Sequence, residues 1–128
     1  MPTVSLKTPV IKQSESAIQK SCVRWFDLQY PQCIIFAIPN GGRRDKREAA
    51  KLKAEGVRKG VHDLFIVSPS GNESKGLFIE MKTQTGRLSN EQRAFGICVS
   101  MDGYNCAVAR SLDEFIKIVK DFFNGNIC

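Results

Sequence analysis

The stretch GVHDLFIVSPSGNESKGLFIEMK, residues 60–82, decides the fold because it predicts two neighbouring β-strands joined by a turn. The apolar run Leu64–Val67 is typical of a buried strand. Gly, Pro, Ser and Asn residues cluster between Ser68 and Gly76, and such a cluster favours a hairpin loop. The segment that follows predicts the second strand, with Glu80 and Lys82 on one face and Leu77, Ile79 and Met81 on the other. We therefore expect this stretch to fold as a β-hairpin.

Two acids and a lysine on this hairpin form a pattern typical of a metal-dependent phosphodiesterase site. Side chains two apart on a strand share a face, so Glu80 and Lys82 project together, and strand pairing would bring Asp63 near Glu80. Hard cations such as Mg²⁺ prefer oxygen ligands, which Asp63, Glu80 and the backbone carbonyl of Met81 could supply. Lys82 could orient the attacking water or offset charge on the phosphate. Alternatively, Asp63 simply begins a strand while Glu80 and Lys82 form a solvated strand face.

A basic segment precedes the hairpin. The chain has a net charge of +6, and residues 43–59 carry eight Lys and Arg against three acids, 8 − 3 = +5. A polyanion bound there would release condensed counterions, so its affinity would fall steeply with salt. The segment follows an Asn-Gly-Gly turn and leads directly to Asp63, which favours DNA contact over a solvated helix with acid–base pairs. The candidate DNA-binding residues are Asn40, Gly41, Arg43, Arg44, Lys46, Arg47 and Lys59.

The rest of the chain alternates between helical and strand patterns. Apolar residues at helical spacing predict a helix at about 14–29 and a last helix near the C-terminus, while residues 33–39 and 104–109 are typical of strands. The order helix, strand, basic helix, strand, strand, helix, strand, helix predicts an α/β fold with a mixed four-stranded sheet flanked by helices. We expect one domain over residues 1–128, with 1–12 flexible or extended.

Two of the predicted helices begin with the pattern of an N-terminal capping box. Ser89 with Gln92, and Ser111 with Glu114, have the spacing that lets side chains satisfy the first backbone N–H groups. Capping gives Gln92 a structural role, and contact with DNA or with the active site is the alternative.

Composition indicates an intracellular, cytoplasmic protein without membrane association. No apolar run approaches the ~20 residues needed to span a bilayer. The five cysteines are scattered without CxxC or Cys/His spacing, which is typical of reduced, small core residues. A zinc site is not expected, because His62 is the only histidine.

The order of several short motifs resembles the VRR-NUC branch of the PD-(D/E)xK nuclease superfamily. The similarity extends from about Glu15 to Phe123 and includes G-x-x-D at Gly60 and Asp63, the triplet E-M-K, a glycine soon after it, and a helix beginning LSNEQ. None of these pieces is specific alone, but their order is.

This resemblance implies a restriction-endonuclease-like core that hydrolyses DNA phosphodiesters with Mg²⁺ or Mn²⁺. Asp63, Glu80 and Lys82 would be catalytic residues. Gln92 would join them in the active site, and Glu15 on the first helix would be a further metal ligand. Stand-alone members resemble Holliday junction resolvases, which implies branched DNA as substrate, a homodimer, and a bacterial or phage-infected host cell.

One residue departs from the family pattern, because His62 stands where the family usually has proline. That proline shapes the backbone and does not bind metal, so we expect activity to survive while the placement of Asp63 changes.

Two alternative functions are weaker. A non-catalytic DNA-binding module on the same fold would not need Asp63 and the intact triplet Glu80-Met81-Lys82. Hydrolysis of a small phosphorylated metabolite would suit a glycine-rich phosphate loop of the Walker type, which the sequence lacks.

Overall fold

The structure, a computed structural model, describes residues 13–39 and 45–124, in which four helices and four strands occur. The elements are α1 (Glu15–Gln29), β1 (Ile35–Ala37), α2 (Lys46–Ala54), β2 (Leu64–Val67), β3 (Gly76–Met81), α3 (Asn90–Met101), β4 (Asn105–Ala109) and α4 (Leu112–Phe123). Their order agrees with the prediction, although β1 is shorter than the predicted strand 33–39. The predictions for residues 1–12 and for Asn40, Gly41, Arg43 and Arg44 concern positions outside the described residues.

The four described strands form one mixed sheet in the order β1-β2-β3-β4, which confirms the predicted α/β architecture. The β1–β2 and β2–β3 pairs are antiparallel, and β3 pairs with β4 in parallel, with α3 as the crossover. In the hairpin, Leu64 lies opposite Ile79. Asp63, the residue before β2, is thereby placed beside Glu80.

One face of the sheet is buried beneath α1 and α4. Every second side chain of β2 and β3 points to this face, as strand geometry requires. Both helices add apolar stripes at helical spacing, and Phe26 of α1 and Phe115 of α4 are fully buried. Trp25 is partly buried and packs edge-on against Phe115, with ring centroids 6.1 Å apart, so it extends the core. The two helices thus cover one face of the hairpin.

The opposite face of the sheet carries the candidate site and is covered unevenly. Over β3 and β4 lies α3, whose Phe95 meets Phe78 edge-to-face at a centroid distance of 5.0 Å. Glu80 is two residues beyond Phe78 on β3, so it points to this same face. Side chains on β1 and at the end of β2 are exposed here.

The helix α2 contributes charge and not core. None of its residues is buried. Its first turn is held by the N-cap residue Asp45, whose carboxylate accepts a hydrogen bond from the Glu48 backbone N–H at 2.7 Å. Lys46 and Arg47 in that turn are exposed. Both side chains are therefore accessible to a polyanion, as the sequence predicts.

No helix among residues 13–39 and 45–124 has the length and apolarity that crossing a bilayer requires. Four free cysteines lie in these ranges. Cys22 fits the expected core role, and burial raises the pKa of its thiol to about 12. Cys98 does not, because α3 turns it outward to solvent.

Candidate active site

The hairpin brings the predicted catalytic side chains together. Asp63 stands at the start of β2, and its Oδ2 atom accepts a hydrogen bond of 2.8 Å from the Met81 backbone N–H on β3. Glu80 and Lys82 project from the same side of β3, with the Lys82 Nζ atom 3.5 Å from the Glu80 Oε2 atom. The Glu80 side chain is 3% exposed and that of Lys82 is 14% exposed. The alternative of a solvated strand face is therefore wrong, because β3 is a central strand with α3 over this face.

The two oxygens of Glu80 have different surroundings. Oε2 accepts a hydrogen bond of 2.9 Å from the Gln92 Nε2 atom and also faces Lys82. Oε1 has no hydrogen-bond partner and lies 3.6 Å from His62 Nδ1, which is buried and equally unpartnered. Buried polar atoms are normally satisfied, so an unpartnered carboxylate oxygen indicates a function.

Burial dominates the ionisation of this cluster. Burial, followed by the negative charge of Asp63, raises the pKa of the Glu80 carboxyl from 4.5 to about 7, against the opposing effect of Lys82. Burial also lowers the pKa of His62 from 6.5 to about 4, opposed by a hydrogen bond to the Gly60 backbone and helped by the positive charge of Lys82. His62 is therefore neutral at neutral pH, and its contact with Glu80 is not an ion pair.

The donor set fits a hard divalent cation. Asp63 and Glu80 supply carboxylate oxygens, and the unpartnered Oε1 is available for coordination. In the described part of the chain no three His, Cys, Asp or Glu side chains converge as a metal site. A cation held here would need further oxygens, for which the Met81 carbonyl, water and substrate phosphate are suited, as is common for Mg²⁺.

Glu15 is not brought to this pair of carboxylates. It occupies the first turn of α1, where its side chain is exposed. An acid there is stabilised by the helix dipole without any ligand role. No three His, Cys, Asp or Glu side chains of the described residues form a metal site, so the metal-ligand role that the resemblance implies for Glu15 stays a prediction.

Gln92 performs both of the roles between which the sequence could not decide. Its Oε1 atom accepts a hydrogen bond of 2.8 Å from the Ser89 backbone N–H, and the Ser89 hydroxyl accepts one of 3.1 Å from the Gln92 backbone N–H. Its Nε2 atom meanwhile donates to Glu80. The capping box of α3 therefore fixes a side chain that orients the candidate metal ligand.

Two substitutions separate these roles. Gln92→Met removes the donor that positions Glu80, together with the side-chain acceptor of the capping box, so we expect at least tenfold loss of metal affinity, measured by calorimetry. Ser89→Ala removes the cap and should lower the free energy of unfolding by about 1 kcal/mol while leaving metal affinity within twofold. Equal metal affinity in both variants would show that Gln92 acts on the helix alone.

Sequence reasoning missed two residues of the site. His62 was assigned to backbone shape, whereas its buried ring reaches Glu80 and packs against Phe95 with centroids 5.0 Å apart. Arg110 follows β4, and its guanidinium donates to the carbonyl oxygens of Thr83 and Gly86 in the loop after Lys82. The available signal for His62 was its place beside Asp63. No local pattern predicts the contact of Arg110 with the loop after Lys82, because that contact depends on the parallel β3–β4 pairing.

The described residues before the basic segment and at its end lie near the site. The Ile38 backbone N–H, after β1, donates to the Asp63 carbonyl oxygen at 2.8 Å. At the other end, Gly60 packs against the backbone of Glu91 in the first turn of α3, and Lys59 lies 3.7 Å from the Glu91 carboxylate. The described residues on either side of the segment therefore lie at the end of the sheet that holds Asp63, and contact between the segment and DNA stays a prediction.

Comparison with known proteins agrees with this geometry. The VRR-NUC domain, a nuclease-type domain family, matches residues 13–113. A solved structure titled VRR_NUC domain protein superposes with a TM-score of 0.71 over 88% of this chain and 90% of that chain, at 22% sequence identity. That likeness shows a shared fold. No curated protein matches significantly. Since the family match covers the hairpin, the candidate site and most of the described chain, the chain belongs to the VRR-NUC domain family.

Proposed function

We propose that this chain is a Mg²⁺- or Mn²⁺-dependent endodeoxyribonuclease. The observation that carries the proposal is the buried Glu80 carboxylate, which leaves one oxygen without a hydrogen bond beside Asp63 and Lys82. A purely structural carboxylate at this depth would be expected to have both oxygens satisfied. An open oxygen next to a second carboxylate is better explained as a ligand position.

Each side chain has a proposed role that follows from its position. Asp63 and Glu80 bind the metal, together with the Met81 carbonyl. The cation, when bound, supplies charge stabilisation at the scissile phosphate and lowers the pKa of a water molecule. Lys82 orients the attacking water or offsets the charge that develops on the phosphate. Gln92 positions Glu80 through its hydrogen bond to Oε2.

Basic residues beside the site hold the DNA backbone in this proposal. Lys46 and Arg47 are exposed on α2, the helix that precedes Gly60 and Asp63 in the chain. Lys59 is also exposed and closer to the site along the chain. Contacts of this kind carry no sequence information, so any selectivity would come from DNA shape.

The finer part of the proposal concerns substrate and assembly. We infer an intracellular enzyme that prefers branched DNA, such as a Holliday junction, and acts as a homodimer. Its support is the resemblance of the motif order to stand-alone junction-cleaving relatives. A twofold dimer would present two equivalent sites to two strands related by the same symmetry.

The test is cleavage of matched four-way-junction, flap, duplex and single-stranded DNAs in Mg²⁺, Mn²⁺ or EDTA. We expect cutting with either metal and none in EDTA. Asp63→Asn and Lys82→Met should each reduce the rate by about 10³-fold. The matched control is Lys117→Met on α4, which removes an exposed lysine paired only with Asp121 at 3.3 Å and should leave the rate unchanged.

The outcomes separate the alternatives. Paired cuts confined to the junction would establish a resolvase, whereas cuts on all substrates would remove the selectivity from the proposal. Salt-sensitive binding without cutting under any condition, unaffected by Asp63→Asn, would identify a non-catalytic DNA-binding module.

A further inference from the structure

A row of aromatic side chains crosses the sheet on the same face as Glu80. Phe36 of β1 lies opposite Phe65 of β2, and Phe65 lies opposite Phe78 of β3. The ring centroids are 5.5 Å apart for the first pair and 4.5 Å apart for the second. Since Phe78 and Glu80 are two apart on one strand, the row and the candidate site share a face.

The row is covered at one end and open at the other. Phe78 is packed beneath Phe95 of α3. At the β1 end, by contrast, Phe36 is 47% exposed, and its aliphatic neighbours Ile34 and Val67 are 58% and 37% exposed. Ile34 and Val67 are joined by a hydrogen bond of 3.0 Å from the Val67 backbone N–H to the Ile34 carbonyl oxygen, so the three side chains form one surface. We call this surface of Ile34, Phe36 and Val67 the aromatic platform.

The platform lies within reach of a DNA strand that occupies the site. Glu80 lies two strands across the sheet from Phe36 and two residues along its own strand from the position opposite. With the usual spacings of strands and residues, the separation is roughly 12 Å. At ~3.4 Å per stacked nucleotide, this corresponds to three or four nucleotides. A strand with its phosphate at Glu80 could therefore place a nearby base over Phe36.

We propose that the aromatic platform binds the face of an unpaired nucleobase in the DNA substrate, an inference that rests on the proposed nuclease function. An exposed ring flanked by aliphatic groups matches the apolar face of a base, and every base can stack on it regardless of sequence. A base within an intact duplex has both faces covered by its neighbours, so only an unpaired or splayed base can use the platform.

Charge selects this occupant over a protein. Directly after β1 the chain runs into the basic segment, whose helix α2 carries Lys46, Arg47, Lys51 and Lys53 against Glu48, a balance of 4 − 1 = +3. A polyanion is attracted to a chain with this charge distribution, and Lys82 adds positive charge at the candidate site on the same face as the platform. A second copy of this chain carries the same net charge of +6 and offers this patch no opposite charge, so the homodimer inferred above is expected to form through another surface.

The test is equilibrium binding, in EDTA so that metal-dependent cleavage does not intervene, of a flap DNA with 2-aminopurine in its unpaired stretch and of a fully paired duplex of the same sequence. We expect Phe36→Ala to weaken flap binding by about tenfold and duplex binding by less than twofold. Wild type should quench the 2-aminopurine fluorescence and Phe36→Ala should not. Phe36→Trp keeps an aromatic face and should retain both affinity and quenching.

Leu28→Ala on α1 is the matched control, because it truncates an apolar residue that is even more exposed, at 71%, on the other side of the sheet, and it should change the binding of neither DNA. Flap and duplex binding weakened equally by Phe36→Ala, or unchanged in both, would overturn the platform. So would a shift from dimer to monomer in Phe36→Ala with quenching intact, since that result assigns the patch to protein contact. The binding experiment in EDTA is independent of the cleavage experiment. A negative binding result would overturn the platform without bearing on the nuclease proposal, and the quenching could still be measured if the protein did not cleave DNA.

Discussion

Glu80→Gln is expected to abolish cleavage and at the same time to stabilise the metal-free protein. The substitution removes the ligand charge, so the cleavage rate should fall by about 10³-fold and metal affinity should be lost. Gln can still accept from the Gln92 Nε2 atom, and its amide can donate to the unpartnered His62 Nδ1 atom. The variant thereby satisfies two buried atoms that the natural residue leaves open.

The gain in stability follows from the pKa of Glu80. At pH 8 the natural carboxyl is ionised although burial and the charge of Asp63 have raised its pKa to about 7. Neutral Gln avoids that cost, so the free energy of unfolding in EDTA should rise by on the order of 2 kcal/mol. Added Mg²⁺ or Mn²⁺ should raise the melting temperature of the natural protein and not that of Glu80→Gln.

The same variant should change how stability depends on pH. Folding raises the pKa of Glu80 from 4.5 to about 7, so that residue makes the free energy of unfolding fall as pH rises through this interval. Folding lowers the pKa of His62 from 6.5 to about 4, so His62 makes the free energy of unfolding rise with pH between these values. The two effects oppose each other in the natural metal-free protein. In Glu80→Gln only the His62 effect is left, and stability should climb from pH 4 to 6.5 and then level off.

Glu91→Gln is the control for this experiment. It neutralises a nearby glutamate that is partly exposed and paired with Lys59, so it should leave cleavage, metal affinity and the pH profile almost unchanged. If both substitutions stabilised the protein, the cause would be the change in net charge and not the burial of Glu80. A Glu80→Gln variant that is less stable than the natural chain at pH 8 would show that the carboxylate has a structural role.

Local sequence patterns predict most of the fold. The apolar run of β2 is found at Leu64–Val67 as expected, and the capping box of Ser89 and Gln92 begins α3 at Asn90. These features depend on residues close together in the chain, where spacing and turn chemistry decide the outcome. The pairing of the two hairpin strands follows as well, because the connection at 68–75 is rich in the Gly, Pro, Ser and Asn residues that favour a hairpin loop.

The burial of the candidate site could not be predicted in the same way. The pattern of alternating residues on β3 is compatible with a solvated face, and only the parallel pairing with β4 and the packing of α3 make Glu80 buried. The role of His62 depends on the same helix, because Phe95 of α3 packs against the imidazole. Conversely, the motif order implied Glu15 as a ligand, but α1 presents it to solvent. Long-range packing therefore turns a common strand pattern into a site.

Gly60→Ala is the second substitution for which we expect a large effect, because this glycine joins the loop before Asp63 to α3. Its backbone has φ +95°, a conformation that L side chains rarely adopt, and an added Cβ atom would stand 2.7 Å from the backbone carbonyl carbon and oxygen of Glu91. Neither backbone can yield without moving Asp63 or the first turn of α3. The free energy of unfolding should fall by about 3 kcal/mol, from backbone strain and overpacking together, in urea titrations.

Gly56→Ala separates the two causes. Gly56 has a similar φ of +106°, yet no atom lies within 4 Å of the position that its Cβ would take. Gly56→Ala should therefore lower the free energy of unfolding by only ~1 kcal/mol, which is the cost of the left-handed conformation for a residue with a Cβ atom. Cleavage should follow the same division, since Gly60→Ala displaces Asp63 from its hydrogen bond with the Met81 N–H, while Gly56 lies at the end of the solvent-exposed α2. Equal destabilisation by both variants would mean that the contact with Glu91 relaxes freely, and that Gly60 serves the turn alone and does not fix the candidate metal ligand.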